Sequence, residues 1–395
     1  MKDRTLLMIP GPIEFEPDVL QALGAPTTSH VAPEFIDTFG LALERMREVW
    51  QAPSGQPFIL AGSGTLAMDV AGANLVEPGD RALVLSTGVF GDRFEDLLSR
   101  YGGDVTTIRA PLGETIDFDA VEAELRAGGF KLMTATHVDT STGVRVDAQR
   151  FGALGREHGV FTVLDGVCSV AGEEIRQEDW GIDVVLTASQ KAIGVPPGLA
   201  LLVVSQKLLC AWGKRRTKVA NYYADWAKWL PIMASYEKRV PGYFGTPAVN
   251  LVCALGVSLA QILEEGMAER FARHARLGRA CRAAIRALGL GQVPTADAHA
   301  ANTLTAPRYP TGVSGNSLLP EVRSAGAILA GGLHPEIKQE YFRIGHMGAT
   351  NAGDLLATIG ALETGLKRAG YRFELGEGLA AAQAALAEEA GDGGS

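Results

Sequence analysis

The period of the hydrophobic positions changes repeatedly along the chain, and those changes predict its elements. Across residues 33–50, Phe35, Phe39, Leu43, Met46 and Trp50 recur at helical spacing, which predicts an amphipathic helix. Short apolar runs then alternate with helical stretches. Residues 58–60, 82–85, 105–108, 132–135, 161–164, 184–186 and 199–204 read as strands. Residues 66–75, 93–101, 121–127 and 148–158 read as the helices between them. Such βα units, joined by short turns, predict an α/β fold with a doubly wound, mostly parallel sheet.

After Val204 the alternation stops. Residues 221–236 are rich in aromatics (Tyr222, Tyr223, Trp226, Trp229, Tyr236) and read best as a packing belt or subunit contact. Residues 251–288 predict one long helix leading into a smaller α+β domain, with strands at 325–329 and 341–344 and a helix at 354–368. The expected division is an extended Pro/Gly-rich arm (1–25), a large domain (26–255), a small C-terminal domain (256–375) and an Ala/Glu/Gly-rich tail (376–395). The tail is expected to hold a last, frayed helix and is assigned no function.

Composition narrows the classes. With 395 residues, 47% hydrophobic and 21% charged, the chain has the makeup of a soluble globular protein of two or three domains. A net charge of -9 argues against nucleic acid, and the densest basic run, Lys214-Arg215-Arg216, reads as a solvated loop. No apolar run reaches membrane-spanning length, and the first apolar piece stops at Pro10-Gly11-Pro12. Cys168, Cys210, Cys253 and Cys281 have no metal-type spacing, so reduced thiols and a cytoplasmic setting are expected.

Candidate chemistry gathers at predicted strand ends, where ligands sit in open α/β sheets. Thr187-Ala188-Ser189-Gln190-Lys191 brings Lys191 to the carboxyl end of a buried strand. Desolvation there lowers an amine's pKa and makes it nucleophilic, although a lysine after a strand, taken alone, is more often merely solvated. Asp165 ends the strand at 161–164, where a carboxylate can hold a cationic ring nitrogen or simply cap the next helix. Ala61-Gly62-Ser63-Gly64-Thr65 lies between a strand and a helix, a place for phosphate or for an ordinary turn. Phe90 could stack on an aromatic ring or pack in the core. The stretch from His137 to Gly143 offers hydroxyls and an imidazole at the same sheet edge. Together, an anion cup, a flat aromatic, a hydroxyl, a carboxylate and a lysine fit pyridoxal 5'-phosphate.

In Pro10-Gly11-Pro12, the 61–65 turn, residues 136–143, Leu164-Asp165, 186–194, 243–246 and Arg343-Ile344-Gly345-His346-Met347-Gly348, the chain resembles the class V aminotransferases of fold-type I. Within them it is most similar to the alanine–glyoxylate and serine–glyoxylate enzymes. The resemblance covers nearly the whole chain, to about residue 370. It implies that Lys191 takes the cofactor's aldehyde, Asp165 pairs with the pyridine nitrogen and Thr140 lies near the ring hydroxyl. Phe90 takes the place of the stacking aromatic, and Ser63, Gly64, Thr65 and Gln190 hold the phosphate. Tyr243 and Thr246 reach the phosphate from the partner subunit of a homodimer, and Arg343 clamps the substrate carboxylate. Phe90 stands where mammalian relatives have Trp, and Thr65 where some members have His, which leaves fine substrate preference open. The implied reaction moves an amino group from alanine, or serine, to glyoxylate. Alternatives are a phosphonate aminotransferase, a cysteine desulfurase-like enzyme or a non-catalytic scaffold. The cysteines fit the desulfurase poorly, because three fall in predicted helices and Cys168 directly follows the Asp165 strand.

Overall fold

The computed structural model of the protein describes residues 5–388. Its central sheet is built from β1 (Gln56–Ala61), β2 (Arg81–Ser86), β3 (Asp104–Arg109), β4 (Phe130–Thr136), β5 (Phe161–Asp165), β6 (Val184–Ala188) and β7 (Leu199–Val204). The strand order is β1-β7-β6-β5-β4-β2-β3. Neighbours from β6 to β3 pair in parallel, whereas β7 runs antiparallel to both β6 and β1. The reversal has a local cause. A parallel return needs a crossover of roughly a dozen residues or more, and the turn-rich stretch from Ser189 to Gly198 is too short for one. Every residue of β6 and β7 is buried, as helices on both faces require.

Helices α1 (Pro33–Val49), α2 (Gly64–Leu75) and α3 (Val89–Arg100) belong to this layered unit. The aromatic stretch packs here too. Trp226–Glu237 is helical, with Tyr236 stacked on Phe39 at 4.0 Å and Trp226 on Phe58 at 5.6 Å. Tyr222 instead stands 74% exposed.

The long helix expected over 251–288 is broken. Helix α4 (Val249–Glu265) ends at Gly266, whose φ of +82° suits glycine, and α5 (Met267–Ala287) leaves at 85° to it. Arg270 and Arg273 both reach back to Glu265, at 2.7 and 2.6 Å, and close the elbow. An apolar stripe continues through such a bend, so periodicity alone does not reveal it.

The first residues are not simply an extended arm. Leu6–Leu7 pairs in parallel with Ala327–Ile328, and Pro17–Leu23 is a helix with Val19 buried. Pro17 at the helix start, where a missing N–H costs nothing, explains the turn to helix. A second hydrophobic cluster forms around α5, α6 (Ala352–Arg368) and a small sheet. That sheet comprises β8 (Leu304–Thr305), β9 (Ala330–Gly331) and the central β10 (Phe342–Gly345). The expected tail helix is present as α7 (Glu377–Ala387), with both Glu363 carboxylate oxygens accepting from its first amides. The frayed end lies outside the described residues. Among these residues no single helix is long and apolar enough to cross a membrane.

Candidate active site

Lys191 follows β6 and is 8% exposed. Its Nζ donates to the carbonyl of Pro10, so the N-terminal segment lies directly over it. Gly11 makes that approach possible: at φ +106°, a Cβ there would come within 2.5 Å of Lys191 Cδ. Burial lowers the Lys191 pKa. Cys168 and Asp165 oppose the shift, and the Arg343 charge adds to it. The amine is thereby biased toward its neutral, nucleophilic form. Pro10 and Gly11 had a sequence signature, Pro-Gly-Pro after an apolar piece, but nothing in it named the lysine as their partner.

Asp165 ends β5 and is 1% exposed. Burial pushes its pKa up to about 7, against the hydrogen bond that Oδ1 accepts from Val167 N at 2.8 Å. Asp139 pushes the same way, while Arg93 and Lys191 oppose it. A carboxyl so desolvated ionises readily only beside a cation, which a pyridinium nitrogen would provide.

Asp139 was missed in the sequence. Fully buried, it accepts from Ser141 N and Oγ at 2.8 and 2.6 Å, and from the amides of Phe90 and Gly91 at 2.9 and 3.3 Å. It therefore holds the first turn of α3, which carries Phe90, against the loop that carries Thr140. Gly88 leaves room for this packing, since a Cβ there would meet Ser141 Oγ at 2.5 Å. An Asp among hydroxyls was visible in the 137–143 stretch, but its target lies 49 residues upstream. His137, placed at the same edge by sequence, faces a separate cleft with Arg145 and His299, and burial takes its pKa down to about 3.

The expected phosphate cup is at the start of α2. Ser63 is the N-cap residue, yet its hydroxyl makes no capping hydrogen bond. Gly64 lets the helix start press against the ends of β5 and β6: a Cβ there would lie 2.9 Å from Val167 and 3.3 Å from Ala188. Gln190 Oε1 is buried without a partner. An uncapped helix start and a free hydroxyl are donors that an anion would complete. The residues present thus fit pyridoxal phosphate.

Arg343 enters from β10. Its Nε donates to Gly331 O at 2.9 Å and its Nη1 to Thr140 O at 3.3 Å, leaving Nη2 without a hydrogen bond among the described residues. Buried Tyr341 braces the same contact, donating to Ser141 O and accepting from Leu333 N and His334 N. Arg343→Ala is expected to raise the KM of both carboxylate substrates about 30-fold or more, since truncating such a buried charge pair costs about 2–5 kcal/mol. Cofactor retention should barely change. Unaltered steady-state kinetics would place the clamp elsewhere. Tyr243 and Thr246 do not join this chain's own site. Tyr243 is 65% exposed and tilts against His30, and Thr246 is also exposed.

Comparison with known proteins identifies the family. The family model described as "Aminotransferase class-V" matches residues 19–341. Alanine–glyoxylate aminotransferase 1 of Saccharomyces cerevisiae is 36% identical, over 87% of this chain and 92% of its own. L-aspartate–glyoxylate aminotransferase of Paracoccus denitrificans is 31% identical, over 97% and 96%. The solved pyridoxamine–pyruvate aminotransferase of Mesorhizobium loti superposes with a TM-score of 0.91 at 30% identity, covering 97% of each chain. The chain belongs to the class V aminotransferase family, as a pyridoxal-phosphate-dependent enzyme of fold-type I.

Proposed function

We propose that the protein transfers the amino group of alanine, with serine as second donor, to glyoxylate, giving pyruvate and glycine. The observation that carries this reading is the free guanidinium edge of Arg343, held on the Thr140 loop and felt electrostatically at Lys191. The other arginine near the cup, Arg93, is turned to Thr65 and Phe90. One clamp suits substrates with one carboxylate, which favours alanine and glyoxylate over a dicarboxylic donor. Relatives that use glyoxylate support the acceptor.

When bound, pyridoxal phosphate supplies an electron sink that makes the substrate's α-hydrogen acidic. Lys191 Nζ would hold the cofactor's aldehyde and, when free, would serve as the base that takes the substrate's α-proton and as the acid that gives it back. Asp165 holds a proton on the ring nitrogen. Arg343 fixes the carboxylate, and so the direction of the α-hydrogen. Phe90, braced by Asp139, keeps the ring plane in place. Ser63, Gly64, Thr65 and Gln190 hold the phosphate. Exposed Tyr243 and Thr246 are the pair that a partner subunit would offer, in a homodimer with shared sites.

A matrix of alanine, serine and aspartate against glyoxylate and pyruvate tests the reading. Alanine with glyoxylate should show the highest kcat/KM; an aspartate preference of tenfold or more would overturn it. The desulfurase alternative is disfavoured because Cys168 is fully buried and its thiol pKa is pushed up by that burial, the reverse of a reactive thiolate.

A further inference from the structure

Arg93 has no part in the roles above, yet it touches two of the elements that would grip the cofactor. It lies on the first turns of α3, half-buried. Its Nη1 donates to Thr65 Oγ1 at 2.9 Å, and its guanidinium lies over the Phe90 ring, 4.8 Å from the centroid. Among the described residues it has no ion-pair partner. The adjacent acid on the helix, Asp92, is already engaged by Arg109 and Ser86, both at 2.9 Å. Its charge is felt at the buried Asp165 carboxyl, but no carboxylate among the described residues pairs with it directly, which leaves guanidinium donors for a further anion.

The contact with Thr65 also fixes chemistry. A hydroxyl that accepts from a guanidinium keeps its own proton to donate elsewhere, so Thr65 is set as a donor. It sits at the start of α2, beside the uncommitted hydroxyl of Ser63. A phosphate monoester carries about −1.5 to −2 charges at pH 7. Every other residue assigned to it (Ser63, Gly64, Thr65, Gln190, and the partner subunit's Tyr243 and Thr246) is neutral. We propose that Arg93 is the cation of the cofactor's phosphate site, acting through its charge and by holding Thr65 Oγ1 as a donor. The helix dipole alone supplies only about half a charge there.

This rests on the pyridoxal phosphate reading, and the test separates the two. Cofactor-free wild type, Arg93→Ala and Arg93→Lys are titrated with pyridoxal phosphate and with pyridoxal, which lacks the phosphate. Binding is followed by cofactor absorbance, and folding by melting temperature. Arg93→Ala should weaken pyridoxal phosphate by ~10–100-fold, the loss typical of a charge-assisted hydrogen bond, and pyridoxal by less than about threefold. Arg93→Lys should recover part of the loss. In wild type, added salt should weaken pyridoxal phosphate more than pyridoxal, a result that stands even if the alanine variant misfolds. Equal losses for both ligands would overturn the proposal by showing that Arg93 acts through the Phe90 ring. An unchanged affinity for pyridoxal phosphate would overturn it too. A wild type that bound neither ligand would sink the cofactor reading itself.

Discussion

Replacing Lys191 with alanine is expected to abolish transamination while the folded protein still takes up pyridoxal phosphate. The amine lies under the Pro10 carbonyl with its pKa lowered by burial, so it is positioned both as nucleophile and as proton carrier. Loss of the proton transfer alone costs roughly 10²–10⁴ in rate, and the covalent role is lost with it. Binding should survive, because the α2 cup, Phe90 and Asp165 do not depend on the amine. Small added amines should restore part of the turnover. The measurement is single-turnover conversion of alanine by the purified variant, with cofactor content checked by absorbance. More than trace turnover without added amine would remove Lys191 from the chemistry.

Asp165→Asn is expected to lower turnover by two orders of magnitude or more, the usual effect of deleting a preorganised electrostatic partner. The amide is isosteric but cannot balance a pyridinium charge. Near-normal turnover in a folded variant would reduce Asp165 to a residue that holds Val167 N. The same substitution carries a pH signature in the cofactor-free protein. The folded carboxyl titrates at about 7, above its unfolded value of 3.8, so its contribution to stability is complete below pH 3.8 and lost as pH rises toward 7. Wild type should therefore lose stability relative to Asp165→Asn between about pH 4 and 7, by on the order of a few kcal/mol, read as a falling melting temperature. Buried histidines act oppositely. His137 and His346, lowered to about 3, remove stability as pH falls from 6.5. They are common to both proteins and cancel in the difference. Parallel melting curves across this range would show that Asp165 is not the desolvated group.

Much of the scaffold was legible because its signals are local. Apolar runs marked the strands to within a few residues, and the helix at 148–158 and the strand at 199–204 agree at both ends with Ala148–His158 and Leu199–Val204. The ends of β5 and β6 carried Asp165 and Lys191 in plain view. The α4–α5 elbow and the helix at Pro17–Leu23 were not legible. One hinges on a single left-handed glycine inside a continuous apolar pattern, and the other on a short Pro-initiated turn whose burial comes from distant partners.

By itself, then, the sequence determined the alternation of elements, the α/β class and the kinds of chemistry set at the strand ends. Periodicity records which face of an element is buried and how long the element runs. It does not record what covers that face. Only the tertiary structure decided that β7 runs against its neighbours, that Pro10 and Gly11 close over Lys191, that Asp139 braces Phe90, and that Arg93 holds Thr65. The site contacts join residues separated in the chain by 181, 49 and 28 positions. Their partners are selected by close packing and by the need of buried polar groups for a hydrogen bond, which are properties of the assembled fold rather than of any local pattern.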